Sequence, residues 1–139
     1  MSGVGHSRVA SLELVAALAV LLLVALPRKR RAREDGVPAM QAVILSVEDY
    51  GEMRTVRHAA PITIGRTPSA TLVVHDAQVS RLHARIDLSN GMLCVRDLDS
   101  RNGTLVNARP IDAPVALHVG DEIDVGTTRI VFRGVGAWT

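Results

Sequence analysis

Apolar and polar positions follow two different rhythms along this chain. Val9 to Leu26 is apolar on every face, with Glu13 as its one charge, and Leu14 to Leu26 is uninterrupted. As a helix those residues would rise about 27 Å, enough to cross a hydrocarbon core of roughly 30 Å with Glu13 at the interface. A buried or amphipathic helix would keep a polar stripe, and this segment has none. From Gln41 onward the rhythm changes to short runs of period two. Ala42–Val47, Ile62–Ile64, Thr71–Val74, Ala84–Leu88, Leu93–Leu98, Thr104–Val106, Glu122–Val125 and Arg129–Phe132 read as strands. Turn residues punctuate them at Tyr50-Gly51, Thr67-Pro68-Ser69, Asn90-Gly91, Arg101-Asn102-Gly103, Gly120-Asp121 and Gly126. Asn90-Gly91 between alternating runs signals a two-residue hairpin. Many short strands and no helical period predict an antiparallel β-sandwich after one N-terminal transmembrane helix. Alternation puts Ala84, Ile86 and Leu88 in the core and points His83, Arg85 and Asp87 elsewhere.

Charge sharpens the reading of the first segment. Arg28, Lys29, Arg30, Arg31 and Arg33 follow the apolar stretch, whereas Arg8 stands alone before it. A cleaved signal peptide would reverse that order and end in small residues. Positive flanks stay cytoplasmic, so residues 1–8 are expected outside and the rest in the cytosol, beneath the inner membrane. The expected plan is a helix over 9–26, a basic juxtamembrane linker over 27–40, a domain over 41–135 and a tail over 136–139. From Met40 onward the chain has ten Arg against eleven Asp plus Glu, so the basic character of the whole lies in the linker. A near-neutral domain with Tyr50, Phe132 and Trp138 as its aromatics offers neither a phosphate-tracking stripe nor a stacking platform. Nucleic acid is therefore not the expected partner. The single cysteine, Cys94, requires no oxidising compartment. The arginine-rich, alanine-rich composition suggests a bacterial source.

The functional signal lies between the strands. Ile64-Gly65-Arg66 ends one run, Ser80-Arg81-Leu82-His83-Ala84 precedes another, and Ser100-Arg101-Asn102-Gly103-Thr104 leads through Leu105 and Val106 to Asn107. Gly120-Asp121 completes the series. In this order and spacing the motifs resemble those of the forkhead-associated (FHA) family, and the resemblance runs from Gln41 to about Arg133. It implies an all-β, FHA-like sandwich of about 11 short strands that binds phosphothreonine in partner proteins. It further implies that Arg66 and Ser80 contact the phosphate, with Arg81 and Arg101 as additional contacts. Asn102 matches the residue that grips the partner's main chain just after the phosphothreonine. Gly65, His83, Gly103, Thr104 and Asn107 match structural positions of the binding loops. The chemistry agrees with these roles. A phosphate presents three strong acceptor oxygens, and an arginine fork meets two of them as a lysine cannot.

Ser80, His83 and Asp87 could suggest a hydrolytic triad, but no strand-turn-helix elbow or G-x-S-x-G exposes the serine. No enzyme, cofactor or metal site is expected. His58, His75-Asp76 and His118 lack metal-ligand spacing and read as loop or surface residues. Two features depart from the family pattern. Ala108 stands where glycine usually follows Asn107, and Thr67-Pro68-Ser69-Ala70 forms a loop poor in charge, where the family often selects side chains. The expectation is a membrane-anchored reader of proteins phosphorylated on threonine by a Ser/Thr protein kinase. The alternative is a scaffold that uses the same sandwich independently of phosphate.

Overall fold

A computed structural model describes residues 41–138. The expected membrane helix, 9–26, and linker, 27–40, lie outside the described residues. Among the described residues no helix is long and apolar enough to cross a membrane. Eleven strands appear in chain order: β1 (Gln41–Asp49), β2 (Glu52–His58), β3 (Ile62–Gly65), β4 (Leu72–Val73), β5 (Ala84–Ser89), β6 (Met92–Asp97), β7 (Thr104–Val106), β8 (Arg109–Pro110), β9 (Val115–Ala116), β10 (Glu122–Val125) and β11 (Thr128–Ala137). They form a six-stranded sheet in the order β2-β1-β11-β10-β7-β8 and a five-stranded sheet in the order β4-β3-β5-β6-β9. Pairing is antiparallel except between β3 and the two-residue β4, which run parallel.

Alternation explains the core. Leu45, Val47, Ile123, Val125 and Ile130 point inward from the larger sheet, and Ile62, Ile64, Ile86 and Val95 meet them from the smaller one. Each such side chain, fully buried, stabilises the fold by roughly 1.5–3 kcal/mol relative to exposure. At the end of β5 the alternation stops deciding burial. Leu88 lies on the inward side but is 41% exposed, because the sandwich ends there at the Asn90-Gly91 turn. His83 departs in the opposite sense and is fully buried, since it precedes β5 and is free of its pleat.

Three strands escape the sequence pattern. β2 reads EMRTVRH, and only Val56 and His58 are even half buried, because the strand is an edge whose partner is β1 alone. β8 and β9 have two residues each, too few to show a period. β11 continues to Ala137, where it pairs with Gln41, two residues past the expected domain end.

Three hairpins turn through two residues that both have positive φ: Tyr50-Gly51 (51° and 79°), Asn90-Gly91 (50° and 77°) and Asn107-Ala108 (50° and 64°). This is the backbone twist that two-residue hairpins favour. Glycine takes the second position without cost, and asparagine tolerates the first. Ala108 has a Cβ that crowds the following carbonyl in this conformation. Ala108→Gly is therefore expected to raise the unfolding free energy by about 1 kcal/mol. Chemical denaturation should show a higher midpoint with an unchanged slope.

Candidate functional site

At one end of the sandwich the loops 66–71, 74–83 and 98–103 converge. They border a cleft of about 920 Å³ lined by Arg66, Gln78, Ser80, Arg81, Arg101 and Asn102 among others. Gly65 ends β3 without a positive φ, so backbone freedom is not what the position requires. A Cβ there would collide with the Arg81 carbonyl, and its absence lets the 80–82 loop lie directly on the strand. Across that contact the Arg66 N–H donates to the Ser80 carbonyl at 3.2 Å.

His83 joins the loops. Its N–H donates to the Ile64 carbonyl and its own carbonyl accepts from Leu98 N–H, both at 2.8 Å. Nδ1 accepts the Ser80 N–H at 3.0 Å, which places the ring proton on Nε2, from where it donates to the Gly103 carbonyl at 2.9 Å. The imidazole therefore faces the Ser80 backbone. Asp87 in turn pairs with Arg85 at 2.7 Å and Arg96 at 3.2 Å. A Ser80-His83-Asp87 triad is not formed.

Two carboxylates shape the remaining loops. Asp97 accepts from Ser100 N–H (2.9 Å), Ser100 Oγ (2.6 Å) and Thr104 Oγ1 (2.6 Å). Ser100 Oγ in turn accepts from Gly103 N–H at 2.9 Å. The loop these bonds close holds Asp99 at φ 55° and Gly103 at φ 80°, the conformation for which a glycine is suited. Partial burial pushes the Asp97 carboxyl upward, but the hydrogen bonds from Ser100 and Thr104 outweigh it and hold the group below the usual 3.8.

Asp76 is the second carboxylate. It lies in a loop, as expected, but is 3% exposed, which corrects the reading of it as a surface residue. One oxygen accepts from Gln78 N–H at 2.8 Å. The other accepts from Thr127 N–H (2.7 Å), Thr127 Oγ1 (2.8 Å) and Thr128 Oγ1 (3.1 Å). The cleft wall 77–80 is thereby fastened to the turn between β10 and β11. An acid between two core-facing valines, Val74 and Val79, was the available sequence signal.

Unpaired arginines gather at the cleft, although Arg57 on β2 and Arg109 on β8 also have no ion pair or side-chain hydrogen bond among the described residues. Arg85, Arg96 and Arg129 are paired with carboxylates. Arg54 donates to the Val73 carbonyl and Arg133 to Ser46. Among the described residues, the guanidinium groups of Arg66, Arg81 and Arg101 form no ion pair or hydrogen bond, and all three line the cleft beside the single carboxylate of Asp99. Ser80 Oγ accepts the Arg101 N–H at 3.0 Å, which leaves the hydroxyl proton available to donate.

Comparison with known proteins agrees with this arrangement. Residues 62–126 match the family model of the FHA domain. An FHA domain solved for a structural and functional analysis of phosphothreonine-dependent FHA domain interactions superposes with a TM-score of 0.58 and 32% identity, over 66% of this chain and 96% of that one. The chain belongs to the FHA domain family. Mycobacterium tuberculosis EmbR, solved in complex with a low affinity phosphopeptide, is 28% identical with a TM-score of 0.59, over 94% of this chain and 32% of that one. Glycogen accumulation regulator GarA of Mycolicibacterium smegmatis is 43% identical over 68 residues, 49% of this chain. This chain spans less than half the length of that relative, 42%.

The FHA motifs separate into two groups in space. Gly65, Arg66, Ser80, Arg81, His83 and the 100–104 loop surround or support the cleft, with Thr104 buried beneath it. Asn107 does not belong with them. Its side chain donates to Asp121 (3.0 Å) and accepts from Glu122 N–H (3.0 Å), bracing the Asn107-Ala108 turn against the Gly120-Asp121 motif. Sequence reasoning missed Gln78, which has no charge and no motif to mark it.

Because the folded-state pKa values of Asp76 and Asp97 lie below 3.8, their contribution to FHA stability is complete above that value. It is lost as pH falls through 3.8 towards the folded-state values. Unfolding free energy is thus expected to be flat on this account from pH 7 to 5 and to fall below about pH 4. Asp97→Asn should lower stability at pH 7 and reduce the acid slope, as measured by urea titrations at each pH.

Proposed function

We propose that this FHA domain binds phosphothreonine-containing segments of proteins modified by a Ser/Thr protein kinase, and that residues 9–26 tether it to the inner face of the cytoplasmic membrane. The carrying observation is the set of three unpaired arginines around one polar cleft. Guanidinium groups without carboxylate partners, held by a rigid loop frame, suit a dianionic ligand with three acceptor oxygens. Arg66 and the Ser80 hydroxyl take the phosphate, Arg81 and Arg101 add contacts from the flanking loops, and Asn102 holds the ligand main chain. In this reading the protein is a binding module whose output is recruitment, not catalysis. Phosphothreonine-dependent interaction by a solved FHA domain and a phosphopeptide complex of EmbR support it.

A phosphothreonine peptide should bind the purified protein, and its unphosphorylated form should not. Arg66→Ala is expected to cost about 2–5 kcal/mol of binding while leaving the melting curve in place. Phosphoserine should bind roughly 10–200-fold more weakly, the value of one methyl group in a fitted pocket. Calorimetry on the matched peptides decides both. Equal binding of phosphorylated and unphosphorylated peptide would support the scaffold reading instead.

Membrane tethering rests on the apolar 9–26 segment and the five basic residues among positions 28–33 that follow it. Alkaline extraction of cells should leave the full chain in the membrane pellet. A tag after Thr139 should resist labelling from outside intact cells. Full-length chain in the supernatant would reject the tether.

A further inference from the structure

We infer that the end of the sandwich opposite the cleft rests on an anionic lipid surface, with Trp138 at the headgroup boundary and the cleft directed away from the bilayer. The inference takes its partner from the membrane tether proposed above and is independent of what the cleft binds.

Loop contacts define the two ends of the domain. His75 N–H donates to Asp49 at the end of β1, and Asp76 accepts from Thr127 and Thr128 at the start of β11, so these strand ends belong to the cleft. At their opposite ends the same two strands are joined by the pairing of Gln41 with Ala137. The turns Asn90-Gly91 and Asn107-Ala108 also lie at that far end.

Exposed apolar side chains collect there. Of eight large hydrophobic residues that are exposed, five belong to the far end: Leu88, Met92, Val119, Val135 and Trp138. The segment 117–120 bridges those of the smaller sheet and those of the larger one. Leu117 N–H donates to the Leu93 carbonyl at 2.8 Å, and Gly120 N–H donates to the Phe132 carbonyl at 2.7 Å. A Cβ on Gly134 would lie 3.7 Å from the Val119 side chain, so Val119 sits beside β11. Exposed apolar residues scattered singly are ordinary, whereas a group gathered at one end marks a contact surface.

Charge and chain connectivity identify what covers it. Arg57, paired across the sheet with Ile44, and Arg109, paired with Val106, flank this end. Both are exposed, with no ion pair or side-chain hydrogen bond among the described residues. Asp121, the acid of the adjoining segment, already accepts from Asn107 and from the His118 N–H. Apolar side chains edged by cations match anionic headgroups over acyl chains, and tryptophan favours that depth. Residues 27–40 run directly into Gln41 at this same end. At full extension they span at most about 50 Å. The tether thus holds the face at high effective concentration near lipid, where a weak surface affinity is enough. β1 rises roughly 25–30 Å along its length, which keeps the cleft clear of the headgroups.

The test uses the full chain reconstituted into phosphatidylcholine vesicles that contain phosphatidylglycerol. Trp138 is the one tryptophan of the chain, so its emission reports on this face. Lipids brominated in the upper acyl chain should quench it about twofold, and less in phosphatidylcholine alone. Met92→Glu combined with Val119→Glu should abolish the quenching while the chain still floats with the vesicles and its melting curve is unchanged. Met53→Glu, near the cleft end of β2, should leave the quenching in place. Unquenched Trp138 in a wild-type chain that floats would overturn the docking and leave the tether standing. So would quenching that survives the Met92 and Val119 substitutions. Shielding of Trp138 from aqueous iodide without quenching by brominated lipid would also overturn it, since a second copy would then cover the face. A chain that does not float with the vesicles would remove tether and docking together.

Discussion

The cleft depends on one buried imidazole. His83 bonds through its backbone to the ends of β3 and β6, and through its ring to Ser80 and Gly103. Three chain segments, the end of β3, the 80–83 loop and the 98–103 loop, therefore meet at a single residue. Both ring nitrogens are used, one accepting and one donating, so the neutral tautomer is part of the design. No other side chain accepts a backbone N–H from one loop and donates to a backbone carbonyl of the next at this spacing. Asparagine and glutamine carry the right groups but lack the rigid ring between them.

Around this hub the loops are fastened by acceptors as well as by the packing of Val74 and Val79 into the core. Asp97 closes the 98–103 loop on itself, and Asp76 ties the 77–80 wall to the larger sheet. The loops thus acquire fixed shapes without a core of their own. Burying a carboxylate is costly unless it is saturated with donors, and both are. Among the described residues no buried side-chain nitrogen or oxygen lacks a hydrogen-bond partner. The acids are satisfied by hydroxyl and N–H groups, so they do not draw in the cleft arginines. Arg66, Arg81 and Arg101 are thereby left without a carboxylate partner among the described residues. That division, acids served by neutral donors and bases left unpaired, gives the site its electrostatic character.

Much of this was legible before the structure. The period-two runs exposed eight strands, because those strands cover a core on one face and the pattern follows. The motifs at 64–66, 80–84 and 100–103 marked loops that border the cleft. β2 stayed hidden because an edge strand buries almost nothing, so its residues answer to solvent and not to a pleat. Ala108 stands where glycine usually does, and the turn keeps the positive φ of the other hairpins despite the added Cβ.

What the sequence by itself determined was eight of the eleven strands and the loops that hold the motif residues, since both follow from local rules of periodicity and residue chemistry. What only the tertiary structure decided was partnership. Gly65 was legible as a glycine, but its reason is the Arg81 carbonyl sixteen positions later. Asp76 gave no sign that its partners are Thr127 and Thr128, fifty-one and fifty-two residues away. Asn107 shares a motif with the cleft residues but serves a different turn, while Gln78 shares no motif and fixes the orientation of Asn102. Hydrogen bonds between loops depend on where two folded segments happen to meet, and periodicity within each segment carries no record of that meeting.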